Sequence, residues 1–304
     1  MDFDYYTLLK EYENIEERDY KKIYISGMGG SGIIGDFVKV YEKKKLVIVK
    51  KDYFPEEYID DSFLVILISY SGDTEETVNQ YNILKDMVNK DNIVVISKGG
   101  LLGELSKRDN INFIKVQNIY PQTRYAFPVL FGIVLSIINK KSYYKLLDLL
   151  KDYKNRLRDL SFLSDKIINP VIIFTDYNHY PVANYFKMKL NEDSKLFAKT
   201  STLSESNHHE LDSYNKKLPF DFLFLRFSYY KKIEERYRFV KNLLEEYGNN
   251  VYEADLRYND FLEELVLGSL SSSSLTLSLA KKFNVDPYNP LIIYKLKEYM
   301  KKVG

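Results

Sequence analysis

Short, nearly continuous Val/Ile runs alternate with helix-forming stretches along this chain. The pattern occurs twice and restricts the protein to the α/β class before any single motif is considered. In the first half the candidate strands are 22–26 (KIYIS), 46–50 (LVIVK), 63–69 (FLVILIS), 92–97 (NIVVIS) and 112–116 (NFIKV). Runs that are apolar at successive positions suit strands covered on both faces, as in a parallel sheet. Helical stretches at 31–43, 74–89 and 101–108 separate them, and 125–140 and a charged, amphipathic 142–160 follow. After Pro170 the alternation resumes, with strands at 171–177, 220–227 and 249–256 and helices at 179–191, 230–247 and 259–282. The expectation is a diverged duplication: two αβα sandwich domains, 1–150 and 151–304, each with a mostly parallel sheet, joined in the charged stretch near 141–165. Two such domains usually place a ligand in the crevice between them.

Charge and composition remove several function classes. The 44 basic and 43 acidic residues leave a net charge of +1, so no basic footprint for nucleic acid or membrane is present. The absence of cysteine excludes disulfides, thiolate catalysis and Cys-ligated metals, and three histidines make a compact His-based zinc site a poor prospect. The acidic N-terminus (MDFDYYTLLKEYEN) does not resemble a signal peptide. The longest apolar run, FPVLFGIVLSII at 127–138, falls short of the ~20 residues of a membrane span. A soluble, cytoplasmic protein with neither cofactor nor metal is expected.

Two loops carry the chemistry. In ISGMGGSGIIGDF (25–37), Gly27, Gly29 and Gly32 form G-x-G-x-x-G between a strand and a helix. That context brings backbone close to an anion at a helix start, and by spacing alone it fits a dinucleotide. A dinucleotide enzyme also needs an acid near the end of the second strand. Asp52 is crowded there by Lys50 and Lys51, and nothing else suggests a hydride acceptor, so NAD is the lesser reading. The second loop, SYSGDTEET, gathers Ser69, Ser71 and Thr74 around Gly72 at another strand-to-helix turn. Three hydroxyls with free amides and a helix dipole suit a fully ionised phosphate monoester. The plainer alternative is a helix cap, Thr74 or Asp73 with Glu76 or Thr77 completing a box.

Together with these two segments, PQTRYAF (121–127), KMKLNEDSK (187–195) and ESNHHE (205–210) resemble, in order, the archaeal bifunctional phosphoglucose/phosphomannose isomerases. Those are proteins of two sugar-isomerase (SIS) domains with flavodoxin-like sheets. The resemblance runs from about residue 20 to the C-terminus. It implies phosphate binding by Ser69, Ser71 and Thr74, and a sugar pocket lined by Gly30 and Ser31. It also implies a charge-stabilising Arg124, a catalytic Glu192, a ring-opening His208 and a late lysine at Lys297. His209 and Lys295 are the neighbouring alternatives. A homodimer with that histidine shared across the interface is implied too.

The residue types match the reaction. Moving a hydrogen between C1 and C2 of a sugar phosphate requires ring opening, for which His208 and Lys297 supply an acid/base group and a cation. A carboxylate, Glu192, then takes the carbon-bound proton, and Arg124 steadies the negative charge of the cis-enediol. The reading is reversible interconversion of glucose 6-phosphate and fructose 6-phosphate, with mannose 6-phosphate as a further substrate. One departure bears on mannose: Pro290, after Asn289, stands where the family carries a threonine. A sugar-phosphate sensor is the main non-enzymatic alternative, although the ~20 residues before the first strand are too few for a DNA-binding module. An isomerase of another sugar phosphate is the other; such chains are typically single-domain.

Overall fold

The computed structural model describes residues 3–300 and 302, and divides into two compact units, Met1–Arg156 and Leu157–Gly304. In the first, α1 (Tyr5–Lys10) precedes β1 (Lys22–Ser26), α2 (Gly29–Tyr41), β2 (Leu46–Lys50), β3 (Phe63–Ile68), α3 (Glu75–Met87), β4 (Ile93–Ser97), α4 (Gly100–Asp109) and β5 (Asn112–Lys115). Helices α5 (Phe127–Ile138), α6 (Lys140–Leu150) and the single turn α7 (Tyr153–Arg156) complete it. All five strands are parallel, in the order β2-β1-β3-β4-β5. β3 and β4 are buried throughout because helices cover both faces. One face packs Tyr24, Val65 and Leu67 against Tyr81, Leu84 and Leu102 of α3 and α4. The other carries α2 and α5, with the Phe37 and Phe127 rings 4.5 Å apart.

The strand order fixes where a ligand can enter. β1 and β3 are neighbours, and the chain leaves them to opposite faces of the sheet, so the Gly27 and Ser69 loops flank the crevice at their carboxyl ends.

The second unit holds β6 (Val171–Thr175), α8 (Tyr180–Asp193), β7 (Ala198–Thr202), the turn α9 (Leu203–Ser206), β8 (Asp221–Arg226), α10 (Lys231–Glu246), β9 (Asn250–Asp255), α11 (Phe261–Lys282) and α12 (Leu291–Met300). Its four strands are again parallel, in the order β7-β6-β8-β9, so the arrangement around the central pair is repeated. Its core lies under α10, where Phe174, Phe222, Phe224 and Tyr237 pack together. α12 differs from every other long helix. Leu291, Ile292, Tyr294 and Leu296 are exposed, and none of its residues is buried.

Several elements depart from the sequence reading, among them α1 and the turn α9, which fall outside every expected helix. β7 was not anticipated: it is a polar edge strand, AKTST, with Lys199 exposed. The 142–160 helix is broken after Leu150, and α7 is a separate turn. α12, a short helix near the end of the chain, was also not anticipated.

Candidate active site

In the first unit, Gly27 and Gly32 make the turn after β1 possible. A Cβ on Gly32 would stand 2.3 Å from the Gly27 carbonyl oxygen, and one on Gly27 would meet the Ile68 carbonyl oxygen at 2.6 Å. These glycines let the chain pass close to itself and to the end of β3, rather than only close to a ligand. Gly30 does the same for a distant segment. A side chain there would meet Arg124 N at 3.0 Å and Thr123 Cβ at 3.1 Å. Ser31 is buried, and its Oγ accepts the Tyr70 N–H at 3.1 Å.

The second loop brings its hydroxyls together. Ser69 Oγ lies 2.8 Å from Thr74 Oγ1 and 3.5 Å from Ser71 Oγ, and it accepts the Gly72 N–H at 3.1 Å. Thr74 is the N-cap residue of α3, but its side chain makes no cap hydrogen bond. Asp73 accepts from Leu101 N at 2.9 Å instead of capping α3. The helix therefore starts without a side-chain cap beside three hydroxyls, where its dipole favours an anion.

A supporting turn, 97–100, escaped the sequence reading. Gly72 takes φ +85°, and a Cβ on it would stand 1.8 Å from the Gly99 carbonyl oxygen. The Lys98 N–H donates to the Tyr70 carbonyl at 3.0 Å, and Leu102 N–H to the Gly72 carbonyl at 2.9 Å. The adjacent Gly99 and Gly100, both at positive φ, are the sequence signal that could have found it.

Arg124 lies in a 3-10 turn, Thr123–Ala126, just before α5. It is 2% exposed, and its guanidinium sits 5.1 Å from the Tyr125 ring centroid. Tyr5 of α1 ties this turn down, its hydroxyl donating to the Tyr125 carbonyl at 2.8 Å.

In the second unit Glu192 is the penultimate residue of α8 and is half-buried. Its neighbours pin the end of the helix. Lys189 and Asp193, both fully buried, form an ion pair of 2.9 Å, and Thr276 of α11 donates to Asp193 at 2.8 Å. Asn191 Oδ1 accepts the Ala198 N–H at 2.7 Å, and Ser194 Oγ donates to the Leu190 carbonyl at 2.7 Å. Lys195, at φ +56°, turns the chain out of the helix.

His208 and His209 follow α9 and are exposed; His209 Nε2 is 3.7 Å from Glu205. An open cleft of about 710 Å³ beside them is lined by Asn207, Leu211, Arg236 and Phe239, and by none of the candidate residues. Lys295 and Lys297 lie on the exposed α12, and Pro290 is buried just before it.

The turn after β6 corresponds in strand order to the glycine turn after β1, but side chains fill it. His179 Nδ1 is 2.6 Å from Asp176 Oδ1, and Nε2 is 2.9 Å from Glu264 Oε2 of α11. The ring stacks on Phe227 at 4.0 Å and 4°, and the Ser228 N–H donates to Glu264 Oε1 at 2.9 Å. In the sequence His179 is simply the first residue of the expected 179–191 helix. Its partner Glu264 is 85 residues away, so no local pattern reveals the network.

Among the described residues, no cluster of three His, Asp or Glu side chains could hold a metal ion, and no helix is long and apolar enough to cross a membrane.

Two parallel sheets with the flavodoxin order around their central strands, and a hydroxyl-rich turn at the crevice of the first, define an SIS-type α/β protein. The family model for the bacterial phospho-glucose isomerase C-terminal SIS domain matches residues 161–300. The bifunctional phosphoglucose/phosphomannose isomerase of Thermoplasma volcanium is 31% identical, covering 92% of this chain and 91% of that one. The D-glucosamine-6-phosphate 4-epimerase of Sulfolobus acidocaldarius is 31% identical over 68% of this chain and 70% of its own length. Among solved structures, a glucosamine-6-phosphate deaminase from Thermotoga maritima superposes with a TM-score of 0.69, at 16% identity and 95% coverage of both chains, which speaks to the fold. The chain belongs to the bifunctional phosphoglucose/phosphomannose isomerase family.

Proposed function

We propose that the protein interconverts glucose 6-phosphate and fructose 6-phosphate, and mannose 6-phosphate and fructose 6-phosphate. The observation that carries this is the Ser69–Ser71–Thr74 hydroxyl cluster at the uncapped start of α3, in a chain of this family. The cluster and the adjacent amides take the phosphate. His208 and Lys297 exchange protons at the anomeric hydroxyl and ring oxygen, opening the ring. The Glu192 carboxylate takes the C2 proton of the open aldose. The C2–H electron pair becomes a C1–C2 double bond, and O1 gains a proton, giving the cis-enediol. Returning a proton to C1 as O2 loses one gives the ketose. Arg124 offsets the negative charge that grows on the oxygens. C1 is reduced and C2 oxidised by the same amount, so the reaction balances without an external electron carrier.

The protein acts as a homodimer in this reading, each chain lending His208 to its partner. The exposure of His208 in the single chain supports that arrangement. A fully active monomer would contradict it.

The test is turnover of each aldose phosphate by purified protein with EDTA present. Activity on neither glucose nor mannose 6-phosphate ends the proposal. Glucosamine 6-phosphate is the separating substrate: C4 epimerisation of it, with no aldose–ketose conversion, would place the chain with its Sulfolobus relative in chemistry. Ser69→Ala removes the hydroxyl at the centre of the cluster. Its KM for each hexose phosphate should rise about tenfold or more, the scale of one hydrogen bond to a charged group. Steady-state kinetics check this, and an unchanged KM removes the phosphate from this loop.

A further inference from the structure

Ser69, Tyr70 and Ser71 are consecutive, and the tyrosine between the two serines reaches the other parts of the first unit's candidate site. Its N–H donates to Ser31 Oγ at 3.1 Å, which ties it to the glycine turn. Its carbonyl accepts from Lys98 N at 3.0 Å, which ties it to the 97–100 turn. Its phenol enters the chain leading to Arg124. The Tyr120 N–H donates to the hydroxyl at 3.0 Å, and the hydroxyl faces the carbonyls of Gln117 at 3.1 Å and Tyr120 at 3.3 Å. The Tyr70 and Tyr120 rings meet edge to face at 5.9 Å. Burial raises the phenol above its ordinary pKa more than its backbone hydrogen bonds lower it, so the hydroxyl keeps the proton it donates. On the far side of the Arg124 turn, Gly30 leaves room for the backbone, and Tyr5 holds the Tyr125 carbonyl.

We infer that Tyr70 is a positioning residue that couples occupation of the phosphate loop to the placement of Arg124. This rests on the proposal that the 69–74 loop holds a sugar phosphate and that Arg124 faces the enediol. A phosphate held by Ser69 and Ser71 fixes the backbone on both sides of Tyr70. The phenol carries that constraint to Tyr120, four residues before Arg124. The non-reacting end of the substrate thereby orders the group that acts at its reacting end, which is how remote binding energy is turned into rate.

Tyr70→Phe keeps the ring and removes only the hydroxyl. The expected result is a fall in kcat of about tenfold with a KM for fructose 6-phosphate within about twofold of wild type. In an Arg124→Lys background the same substitution should cost nothing further, because both act through one group. An unchanged kcat, a raised KM at constant kcat, or full additivity with Arg124→Lys overturns the inference. A readout that needs no turnover is amide hydrogen exchange with inorganic phosphate as the ligand. Phosphate should slow exchange across residues 117–125 in the wild type and not in Tyr70→Phe. Equal protection in the two proteins, or none in either, overturns it as well. A wild type that turns over no hexose phosphate counts against the proposed function, and the phosphate exchange comparison still decides the role of Tyr70.

Discussion

Glu192→Gln should still bind fructose 6-phosphate and should lose isomerisation by about 10²- to 10⁴-fold, the scale of a positioned general base. Glutamine has nearly the shape of glutamate, so the variant tests proton transfer and not packing. Lys189–Asp193, Thr276, Asn191 and Ser194 hold the end of α8 through contacts that do not involve the Glu192 carboxylate. The backbone that presents residue 192 therefore stays in place. The measurement is exchange of the C2 proton with deuterated solvent, followed by NMR, beside a binding titration with fructose 6-phosphate. Exchange at the wild-type rate would remove Glu192 as the base, and loss of binding would make it a binding group instead.

The largest stability effect should come from His179→Gln. It leaves the carboxylates of Asp176 and Glu264 facing one another in a buried site, at a cost of about 3–5 kcal/mol. The loss should also depend on pH. Burial by itself would lower the imidazole pKa, but the hydrogen bonds to Asp176 and Glu264 outweigh it and hold the pKa above its ordinary value. Glu264 moves the other way. Burial raises its carboxyl, and the hydrogen bonds from His179 and Ser228 bring it below the ordinary value. The histidine contribution is therefore complete below the unfolded pKa of about 6.5 and is lost as pH rises through the higher folded one. The Glu264 contribution is complete above its unfolded pKa of about 4.3 and is lost as pH falls through the lower folded one. Urea unfolding of wild type and variant should thus differ most between about pH 4.5 and 6.5, with the gap closing toward alkaline pH. A gap that stays constant up to pH 9 would mean that the ring contributes through stacking on Phe227 and not through charge.

The α/β class and the position of the hydroxyl loop were legible because they are local. A buried parallel strand announces itself as a run such as FLVILI, and a strand-to-helix turn announces itself by glycine and hydroxyl residues. β7 was not legible, since an edge strand needs no apolar run and AKTST reads as a loop. The choice between a helix cap and a hydroxyl cluster at Thr74 could not be made locally either. It depends on where Ser69 directs its Oγ, which the pairing of Ser69 N with the Ile96 carbonyl helps to set. Gly30 is the sharpest case. The G-x-G-x-x-G spacing leaves this position free, and only the family resemblance singles it out, as a sugar-pocket residue. That its missing side chain also makes room for Thr123 and Arg124, more than 90 residues later, is visible only in the fold.

The stacked His179 and Phe227 have a consequence for stoichiometry. Two sheets of matching strand order would ordinarily offer two crevices, and a chain built this way could in principle take two phosphosugars. In the second sheet the imidazole, the phenyl ring and two carboxylates occupy the equivalent place, and the carboxylates would repel an anion. On the proposed function, the phosphate is then expected on the 69–74 loop of the first sheet and not in the crevice of the second. In the proposed reaction the second copy of the architecture supplies the base instead, Glu192 near the end of α8, beside a crevice filled by side chains.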